Sequence, residues 1–160
     1  MYRVEQYIPH SIANDLLEAL QKADDAWYVD REKHFNNLTM EGKTSKYDCI
    51  LEDSMPERVK KLIDYIKPWD TDEVIINRYQ KGMSIGRHHD GCISPFVSVL
   101  TLQSHHDVVR VYPEDGLTHP VPDKAGQMYT ISSSTEHEVL PVESERFSIV
   151  MLRGMMQNDY

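Results

Sequence analysis

The sequence predicts a mainly β protein of the α+β class, in which N-terminal helices brace a C-terminal β core. Two observations carry this prediction. Apolar residues recur at helical spacing in two stretches of residues 1–70, whereas residues 71–160 contain short β-branched runs separated by turn residues. Short strands with turn signals between them are typical of a sandwich or a barrel. We therefore expect a single domain over residues 1–160, with the helical support in 1–70 and the β core in 71–160.

Two amphipathic helices are predicted in the first part. Ser11 is expected to cap the first helix, which should end near residues 24–25. The segment from Ser54 to Glu57 has the pattern of a capping box for the second helix, and Pro68 should end that helix. Apolar residues fall on one face of each helix: Ile12, Leu16, Leu17 and Leu20 in the first, and Val59, Leu62, Ile63 and Ile66 in the second.

Residues 26–53 lie between these helices and are mixed and polar. They predict a loop with one or two short strands, of which Tyr47–Leu51 is the best candidate. The segment has two alternative roles: packing against the sheet, which is the commoner one, or covering a substrate as a lid whose aromatic rings stack on a base. Basic residues are interleaved with acidic ones here, which is typical of a solvated surface. The aromatic residues are Trp27, Tyr28, Phe35 and Tyr47, and the basic ones are Arg31, Lys33, Lys43 and Lys46.

The second part predicts a series of strands. Gly82 breaks the chain after the first of them, and Pro113–Gly116 predicts a turn after the third. The runs rich in β-branched and aromatic residues are Val74–Tyr79, Phe96–Leu102, Val108–Tyr112, Gln127–Ile131, Glu138–Val142 and Phe147–Leu152.

Composition and charge exclude several classes of protein. Lys and Arg number 17 against 26 Asp and Glu, and the net charge of −9 argues against coating duplex DNA by bulk charge. No apolar run reaches the ~20 residues of a membrane helix, and the first residues lack the layout of a signal peptide. With Cys49 and Cys92 as its only cysteines, the chain has neither a disulfide framework nor a cysteine-rich zinc site. We expect a cytoplasmic monomer that does not contact a membrane.

A His-x-Asp pattern is the first sign of a metal site. His88 and Asp90 form this pattern after the first predicted strand, and His137 lies beside a later strand. Two histidines and one carboxylate are the facial triad that holds Fe(II) in non-haem oxygenases. His105 and Asp107 repeat the pattern, but they lie in a polar stretch between strands. We interpret this second match as a solvated turn.

A candidate carboxylate anchor follows His137. Arg146 and Ser148 share one face of the last predicted strand. Arginine offers a two-pronged donor to a carboxylate and serine adds a hydroxyl, which suits the distal carboxylate of 2-oxoglutarate. The alternative is a surface ion pair between Arg146 and Glu143 or Glu145.

These motifs together resemble the Fe(II)/2-oxoglutarate dioxygenases. Asn77–Gly82 followed by His88–Asp90 is similar to the AlkB-like branch, which has Asn-x-Tyr, a glycine three residues later and the His-x-Asp histidine nine residues after the tyrosine. The tyrosine, glycine and His-x-Asp spacing is also similar to the prolyl-hydroxylase-like branch, and Asn77 favours the AlkB-like one. The resemblance covers residues 74–153 and extends through Ser94–Leu102, His137–Val142 and Arg146-x-Ser148.

The resemblance implies a double-stranded β-helix, or jelly roll, that binds Fe(II), 2-oxoglutarate and O2. It implies hydroxylation or oxidative demethylation, with a modified nucleobase in single-stranded nucleic acid as the leading substrate. A peptide of the prolyl type or a small molecule is the second alternative. A non-catalytic jelly-roll binding module is the third, and the intact ligand set disfavours it. The implied iron ligands are His88, Asp90 and His137.

The resemblance also implies a set of co-substrate residues. Arg146 would hold the distal carboxylate of 2-oxoglutarate, assisted by Tyr79 and Ser148, while Asn77 would contact the metal-chelating end. A second arginine is usual six residues after the first, but Leu152 stands there in this sequence. Arg153 is one place later, and a bulge in the strand would be needed to turn it inward.

Overall fold

The computed structural model describes residues 2–27, 45–114 and 116–155. Two α-helices and ten strands are found in these residues. The helices are α1 (His10–Gln21) and α2 (Glu57–Ile66). The strands are β1 (Tyr2–Tyr7), β2 (Asp48–Leu51), β3 (Thr71–Tyr79), β4 (Ile85–His88), β5 (Phe96–Gln103), β6 (Val109–Tyr112), β7 (His119–Val121), β8 (Gln127–Ser132), β9 (Glu136–Val139) and β10 (Arg146–Arg153).

The strands form two antiparallel sheets. The major sheet has the order β1-β8-β5-β10-β3-β2, and the minor sheet has the order β4-β9-β6-β7. This is the predicted double-stranded β-helix. One apolar core joins the facing surfaces of the two sheets, for example Val99 and Ile131 with Val109 and Val139.

A second core joins the two helices to the other face of the major sheet. Alternate residues of β10 show how one strand serves both cores, because successive side chains point to opposite faces. Phe147, Ile149 and Met151 pack with the helices, whereas Val150 and Leu152 face the minor sheet. The helices therefore support the sheet from behind, as the sequence predicts.

The helix starts differ from the predicted caps. Proline occupies the capping position of both helices, Pro9 for α1 and Pro56 for α2, and neither helix has a side-chain cap hydrogen bond. Ser11 lies inside α1, and Ser54 lies in a short 3-10 turn before α2. The fixed φ of proline already suits a helix start, so each helix begins without a hydroxyl cap.

The helix ends are partly as predicted. The first helix stops at Gln21, earlier than expected, and a separate 3-10 turn spans Asp24–Ala26. The second ends at Ile66, just before Lys67 and Pro68, in agreement with the prediction that Pro68 ends it.

Three short strands were not predicted. They are β1, β4 and β7, so residues 1–70 supply both edge strands of the major sheet, β1 and the predicted β2, in addition to helices. The predicted strand at 138–142 begins earlier, at Glu136, and ends at Val139. It stops short of Pro141, which cannot donate to a ladder. His137 therefore lies within a strand.

The segment between the helices is described only in part. Trp27 packs on Phe147 in the helix-side core, with ring centroids 5.8 Å apart, so its role is packing. Lys46 is exposed. Tyr28, Arg31, Lys33, Phe35 and Lys43 lie outside the described residues, and so does most of the candidate lid. None of the helices in the described ranges has the length and apolarity to cross a membrane.

Candidate metal centre

A cavity of about 450 Å³ lies between the two sheets. Its walls are largely apolar, with side chains from the facing surfaces of both sheets such as Ile75, Val97, Val139 and Val150. The candidate metal ligands and Arg146 line the same cavity. An apolar cavity with a few convergent polar groups is the usual form of a small-molecule site.

The minor sheet brings the two histidines together. His88 is the last residue of β4 and lies directly opposite His137 of β9 in the antiparallel register. Their ring centroids are 4.3 Å apart. Asp90 follows two residues beyond the end of β4, and its backbone N–H donates to the Ser133 carbonyl at 3.1 Å. The His-x-Asp pattern thus spans a strand end rather than lying within one strand.

The three side chains converge on one point. Asp90 Oδ1 is 3.6 Å from His88 Nε2, and Asp90 Oδ2 is 3.5 Å from His137 Nε2. One ligand atom from each residue lies within 4.8 Å of the others, and this is the only such group found in the described residues. The predicted triad is therefore assembled in the structure.

Backbone carbonyls set the proton positions on both rings. His88 Nδ1 donates to Gly86 O at 2.7 Å, and His137 Nδ1 donates to Thr135 O at 3.0 Å. A carbonyl oxygen accepts only, so Nδ1 carries the proton and Nε2 has its lone pair free for a metal. Both Nε2 atoms are the ones that face Asp90.

The two histidines differ in their electrostatics. Burial alone would lower the pKa of His88, but the hydrogen bond and charge of Asp90 raise it overall. Burial lowers the pKa of His137, which favours the neutral form that binds metals. Burial alone would raise the pKa of Asp90, but the hydrogen bond and charge of His88 and the charge of His137 lower it overall. Within the described residues, Asp90 Oδ2 is buried with no hydrogen-bond partner. Two imidazoles and a carboxylate with an unsatisfied oxygen suit Fe(II) or a similar first-row ion.

The predicted carboxylate anchor lies on β10. Arg146 is 1% exposed and lines the cavity. Its Nη1 donates to Ser148 Oγ at 3.3 Å. The predicted alternative, a surface pair with a nearby glutamate, does not occur: Arg146 pairs with the buried Asp123, with Nε 2.8 Å from Asp123 Oδ2.

Asn77 and Tyr79 project from β3 into the same cavity. The guanidinium carbon of Arg146 lies 5.2 Å from the centroid of the Tyr79 ring. Burial raises the pKa of Tyr79 to about 12, so its hydroxyl remains a neutral donor at physiological pH. Asn77 Oδ1 is buried and has no hydrogen-bond partner among the described residues.

Arg153 lies elsewhere. The bulge that would turn Arg153 inward is not found in β10: the register shift in its pairing with β3 skips Asp72 of β3, and β10 pairs with β5 without a shift between Leu152 and Arg153. The guanidinium donates to Asp70 Oδ1 and Ser98 Oγ, each at 2.8 Å, and Arg153 is absent from the cavity lining. Because the buried Asp70 carboxylate holds the side chain, a co-substrate role for Arg153 is not supported by the geometry.

The structure adds site residues that the sequence reasoning missed. Asp123 reaches Arg146 from the loop between β7 and β8, and Tyr129 of β8 lines the cavity. Tyr47 also lines it, stacked on Tyr79 with centroids 5.6 Å apart. The sequence around Asp123 contains no recognisable motif. Tyr129 lies in a predicted strand, where tyrosine is common. Tyr47 is one of the aromatic residues for which the sequence predicts either packing or stacking on a substrate.

The second His-x-Asp match is on the surface. His105, His106 and Asp107 are exposed and do not line the cavity. His106 Nε2 lies 3.1 Å from Glu143 Oε2, and both of these side chains are more than half exposed. This agrees with the interpretation of the segment as a solvated turn.

Comparisons with known proteins were made by sequence and by structure. No protein-family model matches the sequence, and no curated protein matches it significantly. Solved structures do match. A prolyl-4-hydroxylase from Pseudomonas putida has a TM-score of 0.69 at 18% identity, over 95% of this chain and 91% of that chain.

Two further structures give the same result. A prolyl hydroxylase from Trichoplax adhaerens, in complex with a peptide fragment of the hypoxia inducible factor, has a TM-score of 0.71 at 12% identity, over 98% of this chain and 84% of that one. A viral collagen prolyl hydroxylase from Paramecium Bursaria Chlorella virus-1, in complex with 2-oxoglutarate, has a TM-score of 0.62 at 14% identity, over 94% and 93%. At these identities the likeness establishes the jelly-roll fold.

Proposed function

We propose that this protein is an Fe(II)- and 2-oxoglutarate-dependent oxygenase. The observation that carries the proposal is the convergence of two Nε2 atoms, from His88 and His137, on the buried carboxylate of Asp90. The fold supports it, because solved structures with this jelly roll include 2-oxoglutarate-binding hydroxylases. Two free cysteines, Cys49 and Cys92, support a reducing compartment, and we propose a cytoplasmic, single-domain monomer.

Three residues would hold the metal, namely His88, Asp90 and His137. When bound, Fe(II) and 2-oxoglutarate activate O2, so that one oxygen atom enters the substrate and the other enters succinate, with release of CO2. The Nδ1 hydrogen bonds to Gly86 and Thr135 would orient the two rings so that Nε2 of each faces the metal. The apolar side chains of the cavity wall would reduce the number of water molecules around the bound reactants.

The co-substrate would lie between the metal ligands and Arg146. Arg146 would bind its distal carboxylate through charged hydrogen bonds, and the hydroxyls of Ser148 and Tyr79 would add neutral ones. Asn77 would contact the end of 2-oxoglutarate that chelates the metal by donating its side-chain N–H, because the oxygens at that end only accept hydrogen bonds. The site would thus recognise both ends of a dicarboxylate.

For the primary substrate, we favour a polypeptide side chain. The three prolyl hydroxylases are matched over 84% to 93% of their length, and the one from Trichoplax adhaerens is in complex with a peptide. Ile93, which is 83% exposed, follows the cavity-lining Cys92 and offers an apolar contact for an extended chain. The Asn77-x-Tyr79 pattern favours the AlkB-like branch. A modified nucleobase is therefore the second candidate substrate.

Succinate release from 2-oxoglutarate tests the proposal. The assay contains Fe(II) and ascorbate, with a proline-rich peptide library, an N-methylated single-stranded oligonucleotide or neither. Wild type is compared with His137→Ala and with the matched control His105→Ala, which removes an exposed histidine from the second His-x-Asp pattern. We expect release by wild type and by His105→Ala and a loss of at least about a hundredfold in His137→Ala.

The outcomes separate the alternatives. Stimulation by peptide supports the polypeptide substrate, and stimulation by the oligonucleotide supports the nucleobase. Equal turnover in His137→Ala and wild type would contradict the metal assignment. Absence of both 2-oxoglutarate binding and turnover in wild type would favour the non-catalytic binding module.

A further inference from the structure

Arg146 is already engaged by a carboxylate of the protein. Asp123 is 4% exposed and takes two hydrogen bonds from the guanidinium, from Nε at 2.8 Å and from Nη2 at 3.2 Å. This is a two-pronged contact along one edge of the group. A third hydrogen bond runs from Nη1 to Ser148 Oγ.

The contact leaves the donors that a ligand needs. A guanidinium has five N–H groups, and these three hydrogen bonds use one on Nε, one on Nη2 and one on Nη1. One N–H therefore remains on each terminal nitrogen of Arg146, which lines the cavity. These two N–H groups remain available to a carboxylate in the cavity.

Asp123 is itself held in place. Thr101, which is fully buried on β5, donates its hydroxyl to Asp123 Oδ1 at 2.7 Å. The backbone N–H of Asp123 donates to Asp107 Oδ1 at 2.9 Å. The carboxylate is thus fixed from its side chain and from its backbone, so it can fix the orientation of Arg146 in turn.

We propose that Asp123 is a positioning residue that orients Arg146 for two-pronged binding of the distal carboxylate of 2-oxoglutarate. The inference rests on the proposed function. A second effect of Asp123 has the opposite sign, because its negative charge repels a bound carboxylate and cancels part of the charge of Arg146. If orientation dominates, replacing the Asp123 carboxylate weakens 2-oxoglutarate binding. If charge repulsion dominates, the replacement strengthens it.

The test is the affinity of the Mn(II)-loaded protein for 2-oxoglutarate, measured by isothermal titration calorimetry. Asp123→Asn keeps the shape but can accept only through one oxygen, so we expect binding weaker by about tenfold or more, the effect of a lost charged hydrogen bond. Thr101→Val leaves every charge in place and loosens Asp123, and we expect a smaller loss of affinity.

Asp48→Asn is the matched control. Asp48 is 1% exposed and pairs with Arg78 through Nε at 3.1 Å and Nη2 at 2.8 Å, but neither residue lines the cavity. This variant should lose stability, seen as a lower Tm, and keep the wild-type affinity for 2-oxoglutarate. It therefore separates positioning from the general cost of breaking a buried ion pair.

A second readout uses the metal-free protein. The Nε–H of Arg146 is buried and hydrogen bonded, so its side-chain NMR signal should be protected from solvent exchange in wild type. We expect loss of that protection in Asp123→Asn. Unchanged or tighter binding in Asp123→Asn overturns the proposal; if that variant does not fold, unchanged binding in Thr101→Val overturns it. Absence of binding in wild type overturns the proposed function instead.

Discussion

Each candidate iron histidine is oriented by a carbonyl two residues earlier in its own segment. His88 donates to Gly86 O and His137 to Thr135 O. Because both acceptors are backbone groups, no side-chain substitution at these two positions removes the acceptor. The orientation of the rings therefore depends on the backbone at the ends of β4 and β9.

The acid sensitivity of the fold should depend on Asp123. Burial alone would raise the pKa of Asp123, but the charge and hydrogen bonds of Arg146 lower it overall. A carboxyl whose pKa is lower in the folded state stabilises the fold above its unfolded pKa of about 3.9, and that stability is lost as the pH falls through the folded pKa. We expect the free energy of unfolding to fall less steeply below about pH 4 in Asp123→Asn than in wild type.

Urea denaturation at a series of acidic pH values measures this difference. Asp123→Asn should also be less stable than wild type near neutral pH, so the comparison rests on the slope with pH and not on the absolute value. If the free energy of unfolding has the same slope with pH in both proteins, another carboxyl group is responsible for the loss of stability in acid.

The triad could be predicted at the residue scale, but the partner of Arg146 could not. His88, Asp90 and His137 have a pattern with a chemical meaning, and a resemblance supported it. Asp123 comes from the loop after β7, and nothing in the sequence around it marks a buried carboxylate. Its burial follows from three contacts, with Arg146, Thr101 and the Asp107 carboxylate, that only tertiary structure creates.

At the scale of the element, the end of β10 is tightly packed. Gly154 follows the strand with a φ of +95°, and its N–H donates to Asp70 O at 3.1 Å. A Cβ at this position would lie 2.9 Å from Pro95 Cγ and 3.3 Å from Phe96 Cδ2. Both the backbone conformation and the space require glycine here.

Gly154→Ala should therefore be strongly destabilising. We expect a loss of about 3 kcal/mol in the free energy of unfolding, as the sum of left-handed strain and overpacking against Pro95. Gly82→Ala is the matched control, since Gly82 has a φ of +85° with no atom within 4 Å of its added Cβ. The control should lose only about 1 kcal/mol from the backbone strain. Chemical denaturation measures both variants. If Gly154→Ala and Gly82→Ala lose the same free energy of unfolding, packing against Pro95 makes no contribution.

The central strands of the major sheet could be predicted, whereas two short strands of the minor sheet, β4 and β7, could not. β5 and β10 have continuous runs of β-branched and other apolar residues, because both faces of the central strands are buried. β4 reads Ile-Gly-Arg-His and β7 reads His-Pro-Val, and neither run is long enough to show a period. These strands form because their neighbours in the minor sheet supply hydrogen-bond partners.

At the scale of the whole molecule, the two halves of the site come from different sheets. The candidate iron ligands belong to β4, β9 and the loop after β4, all at the minor sheet. Arg146 and Tyr79 belong to β10 and β3 of the major sheet. A co-substrate bound at both ends would therefore connect the two sheets.

Ligands should stabilise the fold in two separable steps. Mn(II) at a hundredfold excess over its Kd should add about 2.7 kcal/mol, which corresponds to a rise in Tm of about 5–10 °C. Addition of 2-oxoglutarate should raise the Tm further. Arg146→Lys should keep the metal step and lose most of the 2-oxoglutarate step, because a point charge replaces a two-pronged donor.

Thermal unfolding followed by circular dichroism checks both steps, with EDTA-treated protein as the reference. Asp90→Ala should show neither step. A full 2-oxoglutarate step in Arg146→Lys would place the anchor of the distal carboxylate elsewhere.

The pairing of β1 with β8 has a consequence for synthesis of the chain. β1 is an edge strand whose Tyr7 lies opposite Gln127, 120 residues later, so the ribosome makes the whole segment between them before the partner of β1 exists. At roughly 5–20 residues per second, the nascent β1 waits several seconds with an open edge. Such an edge is a template for intermolecular pairing, and the charged residues in its sequence, YRVEQY, oppose that pairing. β1 must therefore remain without its partner strand until β8 has been synthesised.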